Sequence, residues 1–258
     1  MAAPATAAPL LSLPASIATE AAPYAPPSPS PLSRQASKSP SKARTAKAAA
    51  LPSLDQIAMR YAAPPSKPAG KDKYFGGDKA SGEGLRVCGS GQGFTAAYEK
   101  ILSPLRAMPG LQLLELGIWY GKSLAMWCDY FDDGSQKGTA TIRGIDIDLR
   151  RHNLHKPDLL SMGAYKRNKC LVHEFDTKSA AFTRFIATEL PPLDVIIDDG
   201  CHTADSQWEC FASLFLKLKE GCGSIYLIED IEEPEKFFQG ISETSCFGAL
   251  IAAAAGPT

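Results

Sequence analysis

Apolar and polar positions in the second half of the chain alternate in short blocks, which predict strands and helices in turn. Short apolar runs bounded by turn residues predict buried strands at residues 111–116, 141–145, 170–175, 195–197 and 225–228. Apolar residues at helical spacing predict helices between them, at residues 123–131, 179–190 and 207–219. Strands that alternate with helices form a mostly parallel sheet covered on both faces. We therefore predict an α/β domain with a doubly wound sheet.

The regions around this alternating block carry weaker patterns. Residues 51–61 and 94–105 have helical spacing and predict two further helices. Residues 64–93 are rich in Gly and Lys and predict a loop, and the polar stretch 152–168 predicts an inserted loop. The residues after Asp230 include Pro234 and a Gly- and Ala-rich ending, and they show no clear strand pattern.

The first part of the chain, residues 1–66, consists largely of Ala, Pro and Ser. Such a composition buries too little apolar surface to offset the entropy of ordering. We therefore predict a disordered low-complexity tail over 1–66 and a folded domain over 67–258. The tail is also rich in Ser and Ala and poor in acids, which is typical of a transit peptide for a plastid or another organelle. The alternative is a plain low-complexity tail on a cytoplasmic protein.

Composition excludes several classes of function. The net charge is −1, and the chain has no basic stripe of the kind that binds nucleic acid. The longest apolar run, residues 247–255, is shorter than the roughly 20 residues that span a membrane. The seven cysteines are scattered and form no Cys-x-x-Cys pair, so we expect reduced core thiols in a reducing compartment.

Acidic residues stand at or just after the ends of the predicted strands. They are Glu115, Asp146, Asp176, Asp199 and the pair Glu229 and Asp230. In open parallel sheets, ligands bind outside the carboxyl ends of the strands. One such acid is often only part of a turn, but acids that recur along the sheet indicate a binding site at this edge.

The loop after the first predicted strand, residues 115–123, reads ELGIWYGKS. It is not a P-loop, which has four residues before its Gly-Lys-Ser, because three residues separate Gly117 from Gly121. It is not a dinucleotide fingerprint either, because Trp119 stands where that motif has glycine. Glu115 would in addition repel a bound pyrophosphate.

Such a loop suits a cofactor that carries an ammonium or sulfonium group and no phosphate. Its glycines let the backbone approach a ligand closely. Asp146 can accept hydrogen bonds from both ribose hydroxyls, and Asp176 can accept one from an adenine amino group. S-adenosylmethionine has these features, and we predict it as the cofactor.

Several motifs together carry a family resemblance. They are LLELGIWYGKSLAMWCDYF, RGIDID, VIIDDGCH and YLIEDI, and they fall between residues 98 and 231. This stretch resembles the class I S-adenosylmethionine-dependent methyltransferases. It is most similar to the metal-dependent sugar O-methyltransferases of the macrocin and mycinamicin type. The combination of IDDGxH with IEDI is more specific than the glycine loop alone.

The resemblance implies a Rossmann-like fold and a role for each matching residue. The cofactor-binding positions would be Glu115, Gly117, Gly121, Ser123, Asp146 and Asp176. The positions that hold Mg²⁺ in that family correspond to Asp199, Glu229 and Asp230. His202 corresponds to the catalytic general base.

The chemistry of the residues supports these roles independently. If the fourth and fifth predicted strands are neighbours, their ends lie about 4.8 Å apart. The clustered carboxylates would then repel one another without a cation, and oxygen ligands with room for water or substrate suit Mg²⁺. A metal-bound hydroxyl has a lowered pKa, so a nearby histidine can take its proton. His202, three residues after Asp199, is placed to do so.

Some positions depart from the family pattern. Cys201 stands where the family usually has Ser, and Lys122 is bulky and charged for a glycine loop. The family's sheet normally ends in two more strands, so we expect this sheet to lack the last one or two. We assign no role to the pair Asp78 and Lys79, and we expect Asp198 to orient its loop rather than bind metal.

The predicted function is a Mg²⁺-assisted, S-adenosylmethionine-dependent O-methyltransferase acting on a hydroxyl of a small molecule, such as a sugar or natural product. The alternative is a non-catalytic cofactor-binding module derived from this fold, and a nicotinamide-dependent oxidoreductase is a more distant one. The sequence leaves open the substrate, a homo-oligomeric state, and whether the chain is a fragment.

Overall fold

The described part of the computed structural model, residues 51–71, 76–77, 79–80, 93–220 and 223–243, contains a five-stranded parallel sheet. The strands are β1 Gln112–Leu116, β2 Thr141–Asp146, β3 Lys169–Glu174, β4 Val195–Asp198 and β5 Ile225–Ile228. Every neighbouring pair runs parallel. The predicted strands and the doubly wound, Rossmann-like sheet are therefore confirmed. The chain after β5 continues as a helix, and residues 244–258 lie outside the described ranges.

The order of the strands creates a binding crevice at one edge of the sheet. The order is β3-β2-β1-β4-β5, so the chain runs outward from β1 to β3 and then crosses back to β4. In such sheets the crevice opens at the carboxyl ends of the two strands where the order reverses. Here these strands are β1 and β4, which pair with Leu116 opposite Asp198. The loops after β1 and β4 therefore face each other.

Seven helices surround the sheet within the described ranges. They are α1 Leu54–Arg60, α2 Phe94–Leu102, α3 Lys122–Tyr130, α4 Arg150–Ser161, α5 Ala180–Thr188, α6 Ala204–Leu214 and α7 Pro234–Glu243. Short 3-10 turns extend α2 over Ser103–Leu105 and α6 over Phe215–Lys217. The predicted helices are confirmed, with ends shifted by a few residues.

The loop predicted over residues 152–168 is wrong, because α4 occupies its first part, residues 152–161. The buried stripe of α4 consists of His152, His155 and Leu159. Two of these side chains are histidines, which a hydropathy pattern counts as polar, so the helical spacing was hidden. Pro157 stands inside the helix and gave the opposite signal.

Two apolar cores cover the two faces of the sheet. Alternate residues of β1 point to opposite sides: Leu113 packs with α1, α2 and α3, whereas Leu114 packs with α5, α6 and α7. The helix predicted over 51–61 is present as α1 and buries Leu54 and Ile57, so the folded part begins before residue 67. Residues 1–50 lie outside the described ranges, and the predictions of a tail and a transit peptide fall there. None of the described helices has the length and apolarity to cross a membrane.

Candidate active site

A cavity of about 750 Å³ opens at the carboxyl edge of the sheet. Its walls are the loops that follow β1, β2, β3 and β4, together with residues Gly76, Gly77 and Lys79 from the N-terminal side of the domain. The volume is in the range typical of sites for small molecules. Four of the acids that end successive strands, Asp146, Asp176, Asp199 and Asp230, line this cavity.

The glycine loop after β1 passes very close to the end of β4. Gly117 has φ +76°, and a Cβ there would lie 1.9 Å from the backbone oxygen of Asp199. Gly121 has φ +79° and precedes the first residue of α3, and a Cβ there would lie 2.5 Å from His152. Both predicted glycines are required by backbone conformation and by space.

Asp146 holds the glycine loop from the end of β2. Its Oδ2 accepts hydrogen bonds of 3.0 Å from the backbone N–H groups of Ile118 and Trp119, and its Oδ1 accepts one of 3.1 Å from Asp148. Trp119 itself has φ +46°, and the guanidinium of Arg151 lies 4.0 Å over its ring. Asp146 therefore shapes the loop while it lines the cavity.

Glu115 lies underneath the glycine loop rather than on the cavity wall. It is fully buried, and it accepts hydrogen bonds from Ser123 Oγ at 2.8 Å and Trp127 Nε1 at 3.2 Å. Burial raises the pKa of Glu115 to about 7, although the charge of Lys79 opposes this. Ser123 lines the cavity, as does the exposed Asp176, whose Oδ1 accepts a hydrogen bond from the backbone of Lys178.

Asp199, His202 and Asp230 form a cluster at the side of the cavity next to β4 and β5. Each offers one ligand atom, and these atoms lie within 4.8 Å of one another, close enough to hold a metal ion. His202 Nε2 lies 3.5 Å from Asp199 Oδ1. Asp230 has φ +48°, an unusual conformation for a residue other than glycine.

Glu229 faces inward and is not part of that cluster within the described ranges. Both of its oxygens lie 2.5 Å from Lys79 Nζ, and Tyr98 donates a hydrogen bond to one of them. Burial and the charge of Asp199 raise the pKa of Glu229, against the opposing effect of Lys79. Of the three acids predicted to hold a metal, Asp199 and Asp230 therefore lie in the cluster, whereas Glu229 contacts a lysine ammonium.

Charged neighbours shift the pKa values of Asp199 and His202 in opposite directions. Burial would raise the pKa of Asp199, but Lys79 and His202 outweigh it and hold this pKa below its usual value. Interaction with Asp199 raises the pKa of His202 to about 9 despite burial, and Asp230 contributes to the same shift. The imidazole is therefore protonated at neutral pH as long as both carboxylates keep their full charge.

Comparison with known proteins shows which family the chain resembles. Residues 114–231 match a family model described as a methyltransferase domain. This stretch, a little under half of the chain, is thus similar to methyltransferase domains. The resemblance seen in its motifs is thereby confirmed.

The chain is similar to several proteins that are named as O-methyltransferases. It is 32% identical over 145 residues to the 8-demethyl-8-(2-methoxy-alpha-L-rhamnosyl)-tetracenomycin-C 3'-O-methyltransferase of Streptomyces olivaceus, covering 54% of this chain and 32% of that protein. It is 30% identical over 145 residues to the mycinamicin VI 2''-O-methyltransferase of Micromonospora griseorubida, covering 54% and 31%. The matches thus span about a third of the length of each of these relatives.

A solved structure is also similar to the chain. It is a methyltransferase from the mycinamycin biosynthetic pathway in complex with Mg and SAH, 25% identical, with a TM-score of 0.48. The match covers 72% of this chain and 39% of that one.

Two residues of the site precede the matched stretch and received no role from the sequence. Lys79 is 7% exposed and pairs with Asp199 and Glu229, and Tyr98 lies on α2 beside Trp127. The sequence signal for Lys79 was its position in a Gly-rich stretch, next to Asp78. Asp78 itself lies outside the described residues. Nothing in the sequence linked Tyr98 to the acids of the matched stretch.

Asp198 has the orienting position that we expected from the sequence. It is buried at the end of β4, accepts hydrogen bonds from the Gly200 N–H at 3.3 Å and the Tyr226 hydroxyl at 3.4 Å, and lies beside the loop that carries His202. Burial raises the pKa of Asp198 to about 7.

Proposed function

We propose that the chain is an S-adenosylmethionine-dependent O-methyltransferase that acts, with the help of a divalent metal ion, on a hydroxyl of a small glycosylated molecule. One observation carries the proposal: the cluster of Asp199, His202 and Asp230 opens on the same cavity as the glycine loop and Asp146. A methyl donor and a hydroxyl acceptor can therefore be held side by side. The relatives, which are named as O-methyltransferases of a rhamnosyl-tetracenomycin and of mycinamicin VI, support the same reaction.

The residues present fit S-adenosylmethionine. The missing Cβ of Gly117 lets the loop backbone approach both β4 and a ligand, and Ser123 lines the wall beside it. Asp146 and Asp176 place acceptors at the ends of β2 and β3, where ribose and adenine groups can donate. When bound, the cofactor supplies an activated methyl group.

The residues also fit a divalent cation. Asp199 and Asp230 would hold it through carboxylate oxygens, which Mg²⁺ prefers. Glu229 would be the third acid of the site, although Lys79 contacts it here. When bound, the ion lowers the pKa of a substrate hydroxyl.

His202 would take the proton of that hydroxyl at Nε2. This atom is buried and lies 3.5 Å from Asp199 Oδ1, so the charge of Asp199 favours this orientation of the ring. A cation held by Asp199 and Asp230 would oppose their effect on the pKa of His202 and would favour the neutral imidazole, which can act as a base.

Substitution of Asp199, which would hold the metal ion, and of His202, which would act as the base, tests the proposal. We expect Asp199→Asn and His202→Ala each to lower methyl transfer by about a hundredfold or more, the usual contribution of a general base. Cofactor affinity should stay within a few-fold of wild type, because the glycine loop and Asp146 are intact. Transfer of a labelled methyl group to deoxysugar glycosides, including a rhamnosyl glycoside, measures activity, and calorimetry measures cofactor binding.

The matched control is Asp205→Asn, which removes an exposed carboxylate on α6 outside the cavity wall. It should leave both quantities unchanged. Wild-type turnover in either Asp199→Asn or His202→Ala would contradict the assigned roles.

A second candidate is a non-catalytic cofactor-binding module, which is favoured by the contact of the Lys79 ammonium with two of the predicted metal-binding acids, Asp199 and Glu229. It predicts cofactor binding without turnover and without any response to Mg²⁺. Calorimetry with and without the metal separates the two candidates.

A further inference from the structure

A positive charge of the chain itself lies inside the acid cluster. The Nζ atom of Lys79 is 2.7 Å from Asp199 Oδ2 and 2.5 Å from each oxygen of Glu229. Glu115 Oε1 lies 4.0 Å from the same nitrogen. Three carboxylates from the ends of β1, β4 and β5 therefore surround one ammonium group.

The position of this lysine is built into the fold. The backbone N–H of Thr95 donates to the Lys79 carbonyl at 3.0 Å, and that of Gly93 donates to Ala80 at 3.2 Å. The lysine is thereby joined to the start of α2, and Tyr98, on the same helix, donates to Glu229. Burial alone would lower the pKa of Lys79, but Asp199, Glu229 and Glu115 outweigh it, so the group stays charged.

Asp199 belongs to two groups at once. Its Oδ2 accepts a hydrogen bond from Lys79. The same carboxylate also belongs, with His202 and Asp230, to the cluster that could hold a metal ion. A divalent cation bound there would share a carboxylate with the lysine and would lie close to a fixed positive charge. Like charges at such short distances repel strongly inside a protein.

We infer that Lys79 is an internal cation that competes with a divalent metal ion for the carboxylates of Asp199 and Glu229, and that it thereby sets the metal affinity of the site. This inference rests on the metal site of the proposed function. Without metal, Lys79 neutralises the buried acids. With metal, its ammonium gives up at least one of these contacts.

Metal affinity measured without substrate or cofactor tests the inference. We expect Lys79→Met to bind Mg²⁺ and Mn²⁺ about tenfold or more tightly than wild type, because a nearby positive charge is removed. Lys79→Arg keeps the charge and should bind about as weakly as wild type. Calorimetric titration of the purified chain with each metal gives the affinities.

The control is Lys178→Met, which removes another lysine of the same cavity. Lys178 is exposed, pairs with Glu209 at 3.4 Å, and does not contact the acid cluster. Its removal should not change metal affinity, so a general effect of net charge would be recognised.

Thermal unfolding gives a second readout. Lys79→Met should unfold at a lower temperature than wild type without metal, because buried carboxylates lose their partner. Mg²⁺ should raise its Tm more than that of wild type, because tighter binding stabilises the folded state more. If Lys79→Met does not fold without metal, Lys79→Gln, which keeps a hydrogen-bond donor, is titrated instead.

The outcomes separate this inference from the proposed function. Equal or weaker metal binding by Lys79→Met, with binding lost in Asp199→Asn, would overturn the role of Lys79 and leave the metal site in place. A failure of wild type, Lys79→Met and Lys79→Arg to bind either metal would overturn the inference together with the metal-assisted part of the proposed function.

Discussion

Single residues of the site are constrained by backbone as much as by chemistry. Gly117 shows this most directly. Its φ is +76°, and a Cβ added there would lie 1.9 Å from the backbone oxygen of Asp199, so there is no room for a side chain. Gly134 has nearly the same φ, +77°, but an added Cβ there would meet no atom within 4 Å. Substitutions at these two glycines therefore separate the energetic cost of a left-handed backbone conformation from that of steric overlap.

We expect Gly117→Ala to lower the free energy of unfolding by roughly 2–4 kcal/mol, from strain and forced displacement of the β4 end together. Gly134→Ala should cost only about 1 kcal/mol, because only the left-handed conformation is penalised. Urea unfolding of both variants measures the difference. Equal losses would show that the close approach to Asp199 is not rigid.

At the scale of elements, α4 places two histidines under the glycine loop. His152 is buried behind Gly121, and neither ring nitrogen has a hydrogen-bond partner among the described residues. Burial, with a contribution from Lys156, lowers the pKa of His152 to about 4. The folded state therefore binds this proton more weakly than the unfolded chain, in which the pKa of histidine is about 6.5.

The contribution of His152 to the free energy of unfolding is therefore fully present above pH 6.5. It is lost as the pH falls toward 4, and the loss is roughly 3 kcal/mol. His152→Leu removes this titration and keeps an apolar side chain, so the stability curve should become flatter between these pH values. The flattening is partial, because burial lowers the pKa of His155 as well. Chemical unfolding at a series of pH values checks this, and parallel curves for variant and wild type would contradict it.

At the scale of the whole molecule, the folded unit is larger than the stretch that matches the family. Helix α1 lies more than 50 residues before residue 114, yet its Leu54 and Ile57 belong to the same core as β1. The Tyr61 hydroxyl also donates to Asp129 on α3 at 2.7 Å. The N-terminal helix is therefore part of the domain that carries the site.

We expect Ile57→Asp to lower the free energy of unfolding by about 3 kcal/mol or more, because it buries an unpaired charge. Met59→Asp on the same helix, at a side chain that is 41% exposed, should cost less than about 1 kcal/mol. Thermal unfolding distinguishes the two. Similar small losses in both variants would place α1 outside the cooperative unit.

The sequence predicted the sheet and its acid edge because both depend on local signals. Apolar runs marked the strands, and the acids that follow them were brought together by the crossover from β3 to β4. Lys79 was not predictable in this way, because its partner Asp199 lies 120 residues further along the chain and no local pattern links them. The inward orientation of Glu229 depends on the same distant contact. Helix α4 was missed because its buried side is largely histidine.

Asp146 also affects the thermodynamics of ligand capture. Its carboxylate fixes two N–H groups of the glycine loop, and the Gly117 N–H donates to the Ile145 carbonyl at 2.8 Å, so hydrogen bonds within the chain itself hold the shape of the loop. A binding segment that is already ordered loses little conformational entropy when the ligand binds. More of the interaction energy at this loop is then retained as affinity.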